Sequence, residues 1–484
     1  MKKALQTFLI IVAIACYGAA DGQSLSKISP VTLKKGSLSD SLSFVLTTLD
    51  NNLYKHKPLL YASGIQIIDA DAPWPPRWYA LHSSDTSAQN KPTMMLMLNA
   101  VYDSGHLRFL TLATDHNNTA NVAVLACDKQ MQTKDTFFAY HKLIDSHDFL
   151  PAADGGMIYF AVHDTVVDIR QVYHDPTEFA VDMLYQTIEI ADAKGKSVFS
   201  WSPLSALGLD AIYLPYRYTP GVRSGHSSFD WSHGNSLHYD YDGNILYSFR
   251  HIGIGAVSRA DGHVIWHIDR NKQRINAQSD SLPIFLQHDL QAVRDPGGQI
   301  SYTVWSNGDS AHPYCQGFQF TVNINDKAEP IVKVLKTISP SENIPGTGGG
   351  GNMDVDIYGD YLLNYGLFTQ DSTLSERSLF EYKDVRSGKL GLYQTSPTIF
   401  SFRVHTMDGW RPARPVISLM GTQLYTDIKS NTLQWYRLSG AGLKTVKYLK
   451  ESETFTPTEN GFYCVASRLG IGWSVSRPFK YTKK

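Results

Sequence analysis

The feature that most constrains this chain is a tight turn that keeps returning between strand-like runs. Turn dipeptides stand at Asp154-Gly155, Lys194-Gly195, Asp242-Gly243, Asp261-Gly262, Gly297-Gly298, Gly359-Asp360 and Ser387-Gly388. Such pairs supply the positive φ angles that two-residue hairpins require, so each marks a hairpin tip. The flanking runs are rich in Tyr, Ile, Val, Phe and Trp, and several share one shape: GKSVFSW, GNILYSF, GHVIWHI and GQISYTVW. No amphipathic helical pattern of comparable length competes. Degenerate repeats of short antiparallel strands predict an all-β chain built as a β-propeller, in which each blade buries its faces against its neighbours. A single β-sandwich is the competing reading, but it rarely needs ~350 residues of strands.

The pattern changes after Trp410, where Arg411-Pro412-Ala413-Arg414-Pro415 reads as a linker. A Trp on an early strand (Leu433-Gln434-Trp435-Tyr436) and a Tyr on a late strand after a turn (Asn460-Gly461-Phe462-Tyr463) resemble the core of immunoglobulin-like sandwiches. Residues 413–484 are therefore predicted to form a small immunoglobulin-like β-sandwich. At the other end, Lys2 and Lys3, an apolar run from Phe8 to Cys16 and small residues at Gly18, Ala19 and Ala20 predict a signal peptide over 1–20. The expected product is exported, periplasmic or secreted, and has no transmembrane helix. Ala13-Ile14-Ala15-Cys16 loosely resembles a lipoprotein acylation site without its usual leucine, so lipid anchoring at Cys16 stays open as an alternative.

Cys127, Cys315 and Cys464 remain after the leader, an odd count that permits at most one intramolecular disulfide, and their spacing does not suit zinc. With 44 basic and 45 acidic side chains the formal net charge is −1, and no long charge run is present. Nucleic acid is therefore not an expected partner. No metal or cofactor is expected either. The absence of a G-x-x-x-x-G-K-[ST] loop leaves no motif for a nucleotide donor.

Histidine is where the sequence points to chemistry. Three of the 17 lie in polar contexts at predicted strand ends: His147 in Asp145-Ser146-His147-Asp148-Phe149, His233 in Asp230-Trp231-Ser232-His233-Gly234-Asn235, and His288 in Gln287-His288-Asp289. Side chains alternate along a strand, so His233 and Asn235 are expected to point one way, and His288 away from Asp289. A hairpin at Asp242-Gly243 would bring Arg250, in Ser248-Phe249-Arg250-His251, near His233. Three histidines, an arginine and an amide around one point would make a site for an anion.

These motifs resemble the arylsulfotransferase family. SHDF at 146–149, HGN at 233–235, SFRH at 248–251, QHDL at 287–290, SNG at 306–308 and NYG at 364–366 follow the family's order, over about residues 58–408. The resemblance implies a six-bladed propeller over 58–408, preceded by an N-terminal extension over 21–57. It also implies sulfuryl transfer from a phenolic sulfate to a phenol through a sulfohistidine. His288 would be the nucleophile, His147, His233 and Arg250 further catalytic residues, and Asn235 and Asn307 substrate-binding residues. The partners would be a small-molecule aryl sulfate and a phenol, with a homodimer left open. The chemistry is sound in itself, since a neutral imidazole is a capable nucleophile and a covalent intermediate divides the transfer into two steps.

Two departures from the family stand out: His312-Pro313-Tyr314-Cys315 where an arginine-bearing strand is expected, and Gly351-Asn352-Met353-Asp354 in place of a later G-S-x-Q element. A propeller that only binds a sulfated or phenolic ligand, and an aryl-sulfate hydrolase, are the alternative functions. His226, His238, His251, His312 and His405 are read as structural, and the acidic Asp240-Tyr241-Asp242-Gly243-Asn244 as a hairpin tip rather than a calcium loop.

Overall fold

The computed structural model describes the chain between Leu25 and Lys483 except residues 26–30, 37, 39–41, 51–62, 83–98, 104–105, 115–119, 141, 153, 169, 171–180, 213–219, 224–225, 271–274, 309–311, 326–328, 342–348, 357, 367–378, 396–398, 408–411, 429–432, 441–444, 452–453 and 470–471. The signal peptide expected over 1–20, with Cys16, and part of the 411–415 linker lie outside the described residues. What is described is almost entirely β-strand, as expected for an all-β chain. One short α-helix, Pro203–Leu207, is followed by a 3-10 turn at Leu209–Ala211.

The strands form antiparallel sheets whose members follow one another in sequence. Sheet two joins Ala100–Asp103, His106–Thr114, Ala120–Cys127 and Thr133–Phe137. Sheet three joins Ile144–Pro151, Met157–Val167, Val181–Ala191 and Ser197–Trp201; His226–Asp230 also pairs in parallel with its third strand. Sheet four runs Gly234–Tyr239, Ile245–Phe249, Gly253–Val257 and Val264–Asp269, and sheet five His288–Arg294, Ile300–Ser306, Gln316–Ile324 and Pro330–Ile338. Sheet six runs Asn352–Val355, Tyr361–Asn364, Leu379–Lys383 and Leu390–Gln394, and takes its fifth strand, Thr32–Gly36, from near the N-terminus. Sheet one is assembled from both ends of this region, with Ile399–Met407 pairing Ser43–Asp50, then Ser63–Asp69 and Trp78–His82. Two strands from the expected N-terminal extension are thus built into sheets six and one.

The hairpin tips read from the sequence have a common chemistry. In each of three, an aspartate carboxylate accepts backbone N–H groups two and four residues on: Asp192 from Lys194 and Lys196, Asp240 from Asp242 and Asn244, and Asp356 from Tyr358 and Asp360; Asp128, at a turn not read from the sequence, does the same with Gln130 and Gln132. Short Asx-type bonds of this kind compete with the sheet ladder and favour a turn. The acidic run at 240–244 is such a tip.

Strand alternation sends successive residues to opposite neighbours. Ile245, Tyr247 and Phe249 pack against Phe160, Met183 and Trp201 of sheet three, while Leu246 packs with Leu290, Val304 and Phe318 of sheet five. Equivalent apolar clusters join sheets two and three around Phe149 and Tyr159, five and six around Trp305 and Met353, six and one around Phe44 and Phe380, and one and two around Trp78 and Phe109. Burying each such large side chain is worth roughly 1.5–3 kcal/mol.

The C-terminal segment forms a small sheet, Ile417–Met420, Gln423–Thr426 and Thr454–Phe455, over a larger one built on Leu433–Ser439 and Gly461–Leu469. Trp435, Tyr463, Val465 and Tyr481 are buried between them with Leu424, and the Tyr463 hydroxyl donates to the Glu459 carbonyl at 2.8 Å. The larger sheet continues into sheet one, because Gly472–Val475 pairs with Trp78–His82 at Ser474 with Trp78 and Trp473 with Tyr79. Buried Asp69 ties the join, bound by Arg77 at 2.7 Å and Arg414 at 2.8 Å. Cys127, Cys315 and Cys464 are buried thiols that take part in no disulfide among the described residues.

Candidate active site

The site is built where the first strands of sheets three, four and five meet the last strand of sheet one. His147 lies on Ile144–Pro151, His233 just before Gly234–Tyr239, Arg250 just after Ile245–Phe249, His288 at the start of His288–Arg294, and Arg403 within Ile399–Met407. Sequence segments far apart are fastened here by backbone bonds: the Arg250 N–H donates to the His233 carbonyl at 3.0 Å, and that of His251 to Ser232 at 3.3 Å. Gln186 bridges two sheets, its carbonyl oxygen accepting from the Ser232 hydroxyl and from the Gly234 N–H.

His147 and His233 meet edge to face, with ring centroids 4.9 Å apart. Each is held through Nδ1 by its own aspartate at 2.5 Å, Asp145 for His147 and Asp230 for His233, which fixes the ring orientation and leaves Nε2 as the remaining nitrogen. Phe402 stands between the clusters, its ring 6.1 Å from His147 and 6.0 Å from His288. The Arg250 guanidinium comes in beside Gly349, where a Cβ would lie 3.6 Å from Nη1. His251, read as structural, packs 5.2 Å from His233 and bonds through Nδ1 to the Asp230 carbonyl.

His288 is 1% exposed, and neither of its ring nitrogens has a hydrogen-bond partner among the described residues. Its backbone is strained on both sides, with Leu286 at φ 48° and Asp289 at φ 60°, and His233 sits at φ 49°. Positive φ at such residues is uncommon and must be held by surrounding contacts. Those contacts are present: Gln287 donates through Nε2 to the Phe249 carbonyl, and the Asn235 amide donates to the Gln287 carbonyl at 2.7 Å. Asn307 donates to the Leu286 and Gly350 carbonyls and accepts from Trp305 Nε1.

The residues singled out from sequence therefore fall into two groups. His147, His233, His288 and Arg250 converge. Asn235 and Asn307 brace the loop that carries His288, although the Asn235 side-chain oxygen, fully buried, has no partner among the described residues. Positive φ at His233 and a register shift between Gly234 and Ser236 interrupt the alternation expected along that strand.

The electrostatics separate the three histidines. Burial, then the charges of Arg403 and Arg250, hold His288 well below the ordinary histidine range, so its imidazole is neutral. Burial also depresses His233 despite Asp230, and depresses His251 to about 3. At His147 burial is outweighed by Asp145, and the pKa is raised. Environments that push neighbouring groups apart in this way are how acid and base roles are assigned.

Sequence reasoning missed Arg403 and Phe402, and gave no role to Asp145, Asp230 or Asp289. Asp-x-His at 145–147 and Asp-x-x-His at 230–233 were visible spacings; Arg403, in the strand-like Phe400-Ser401-Phe402-Arg403-Val404, carried no motif. A cavity of about 340 Å³ is lined by Asn99, Asp148, Asp289, Gln291, Asp354 and His405 among others. Among the described residues no group of three or more His, Cys, Asp or Glu is arranged to hold a metal ion.

Residues 106–355, which carry His147, His233, Asn235, Arg250, His288 and Asn307, match the family described as Arylsulfotransferase (ASST). The chain belongs to the arylsulfotransferase family. Membership supports aryl sulfotransferase activity in general terms. In this member of the family, Arg403 and Phe402 lie beyond the matched segment and yet enter the same cluster. No protein of curated function matches the chain in sequence. Among solved structures, a protein from Bacteroides uniformis described as a 6-phosphogluconolactonase is 10% identical, over 90% of this chain and all of that one, with a TM-score of 0.34. An endo-1,4-beta-xylanase from Bacteroides thetaiotaomicron is 11% identical over 57% of this chain and 87% of that one, with a TM-score of 0.27. Likenesses of that size have no bearing on the chemistry of the site.

Proposed function

We propose that this arylsulfotransferase moves a sulfuryl group from a phenolic sulfate ester to a phenol by a ping-pong route through a sulfohistidine at His288, with no nucleotide donor. The observation that carries the reading is the His288 imidazole, buried, neutral and unpaired beside His147, His233, Arg250 and Arg403. A lone histidine in a β-rich core normally satisfies a strand carbonyl; one whose two nitrogens are both left open among cations suits a nucleophile for an anionic ester.

In the first step a ring nitrogen lone pair of His288 attacks sulfur, the N–S bond forms, and the S–O bond to the aryl group breaks with its electron pair. His147, kept protonated by Asp145, gives its proton to the departing phenolate. In the second step a phenol loses its proton to the now neutral His147, its oxygen attacks sulfur, and the N–S bond breaks to restore His288. Arg250 and His233 face the charge on the sulfuryl oxygens, where positioned cations and donors do most of the catalytic work.

The reading extends to the architecture and the setting. Sheets one to six are the blades of a six-bladed propeller with the histidines at its central channel, supported by the apolar clusters that join each sheet to the next and sheet six back to sheet one. The leader-like start of the sequence supports export.

The test is incubation with 4-nitrophenyl sulfate, with and without phenol. Nitrophenolate release that depends on the acceptor, and a mass gain of one sulfuryl group on the enzyme without acceptor, are expected. His288→Ala should abolish both, and turnover retained by that variant would overturn the mechanism. Steady release without an acceptor would instead assign a hydrolase.

A further inference from the structure

Arg403 is the one charged residue among the largest fully buried side chains of the described residues, 1% exposed, and lies on the last strand of sheet one. That strand is tightly placed. Asn352 bonds both the N–H and the carbonyl of Val404, Asn364 donates to the Phe402 carbonyl at 3.1 Å, and the Arg403 N–H donates to the Thr47 hydroxyl at 3.1 Å. From this base the guanidinium reaches two segments of the site. Nη2 donates to the Asn235 carbonyl at 2.6 Å, and Nη1 is paired with the Asp289 carboxylate. Asp289 also accepts from Gln291 Nε2 at 2.6 Å and from the Met353 N–H.

Asp289 directly follows His288 and is in the left-handed region at φ 60°. We propose that Arg403 and Asp289 form a buried positioning pair that fixes the strained backbone at His288, and with it the nucleophilic ring, against the Asn235 strand. The inference rests on the reading of His288 as nucleophile. Stability alone is a poor reason for such a pair, because replacing a buried ion pair by apolar side chains is often neutral or stabilising. Its place is informative: Asp289 lines the cavity with Asp148 and Asp354, while the charge of Arg403 acts on the His288 ring. The charge of Arg403 also acts on the Asp148 and Asp289 carboxylates. Nη1 meets Asp289 as an ion pair rather than through an aligned hydrogen bond, and Nε has no hydrogen-bond partner among the described residues.

Three variants test this: Arg403→Gln, Arg403→Lys and Asp289→Asn, each compared with the wild-type chain. Their readouts are thermal melting, the nitrogen-15 titration of the His288 ring by NMR, and the kcat and KM for 4-nitrophenyl sulfate. Arg403→Gln should raise the His288 titration by about one pH unit. Arg403→Lys keeps a charge but not the two-ended clamp, so its kcat should fall on the order of tenfold or more with KM little changed. Asp289→Asn, close in shape, should lower kcat similarly. A merely structural role would move melting alone. A folded Arg403→Gln with the wild-type His288 titration and kcat would overturn the proposal, as would Arg403→Lys and Asp289→Asn both working at the wild-type rate should Arg403→Gln fail to fold. If the wild-type chain transfers no sulfuryl group, the proposed function falls, while the His288 titration in the same variants still decides whether the pair acts on that ring.

Discussion

His147 and His233 touch edge to face at 4.9 Å, and each is bound through the same nitrogen to an aspartate at the same 2.5 Å, yet their basicities are driven in opposite directions. The difference lies in the wider surroundings. His147 gains from Asp145 and Asp230, whereas His233 also feels the charges of His147 and Arg250. Of two adjacent imidazoles, one is tuned toward the cation and the other toward the neutral ring.

That division fixes the pH dependence. With the His147 pKa above its usual 6.5, its charged form stabilises the fold at pH values below that figure, and this contribution is lost as pH rises through the raised value. Sulfuryl transfer from donor to enzyme should decline over the same window. Asp145→Asn is expected to move the alkaline limb of kcat/KM downward, measured as single-turnover nitrophenolate release across pH. An unmoved limb would remove His147 as the proton donor.

Asn307→Ala should cost about 2–4 kcal/mol, because it leaves the Leu286 and Gly350 carbonyls and the buried Trp305 N–H without their partner at once. Denaturant midpoints report the stability loss. Release of nitrophenolate should slow as well, since the same amide supports the loop entering His288.

Two glycines with similar backbone angles should behave differently when changed to alanine. At Gly351, φ is 87° and a Cβ would lie 2.5 Å from Trp305 Nε1 and 2.8 Å from the Asn364 carbonyl; at Gly359, φ is 82° and nothing lies within 4 Å. Gly359→Ala should cost about 1 kcal/mol for the backbone angle alone. Gly351→Ala should cost at least twice as much, on the order of 2–3 kcal/mol, through overpacking. Equal melting shifts would refute the distinction.

The thiols should be silent in the folded protein. Burial pushes Cys127 up to about 12 and raises Cys464 further above its ordinary value. A thiol reagent such as dithionitrobenzoate should label neither at pH 8 before unfolding, and reductant should leave the melting temperature unchanged.

Much of the fold was legible because turns and alternation are local. Asp-Gly at 242–243 announces its hairpin, and the strand-like run GNILYSF follows it. The convergence of His147, His233, Arg250 and His288 could be anticipated only as an ordered set of motifs. Arg403 could not, since what makes it part of the site is contact with Asn235, 168 positions away, and a single arginine in an apolar strand has no signature. Asn307 was legible as a motif, but its engagement with backbone carbonyls depends on where sheets five and six touch. The N-terminal strands were read as an extension because pairing between Ser43–Asp50 and Ile399–Met407 spans most of the chain.

That last pairing has a consequence for how the protein comes into being. Sheet one needs a strand made near the start of synthesis and another made more than 300 residues later, and the later one carries Arg403. Until Ile399–Met407 has been synthesised, the early strand can pair only with Ser63–Asp69 on one of its two edges. Chains that stop before this strand would lack both Phe402 and Arg403 beside the histidines, and sheet one would lack the strand that pairs with Ser43–Asp50.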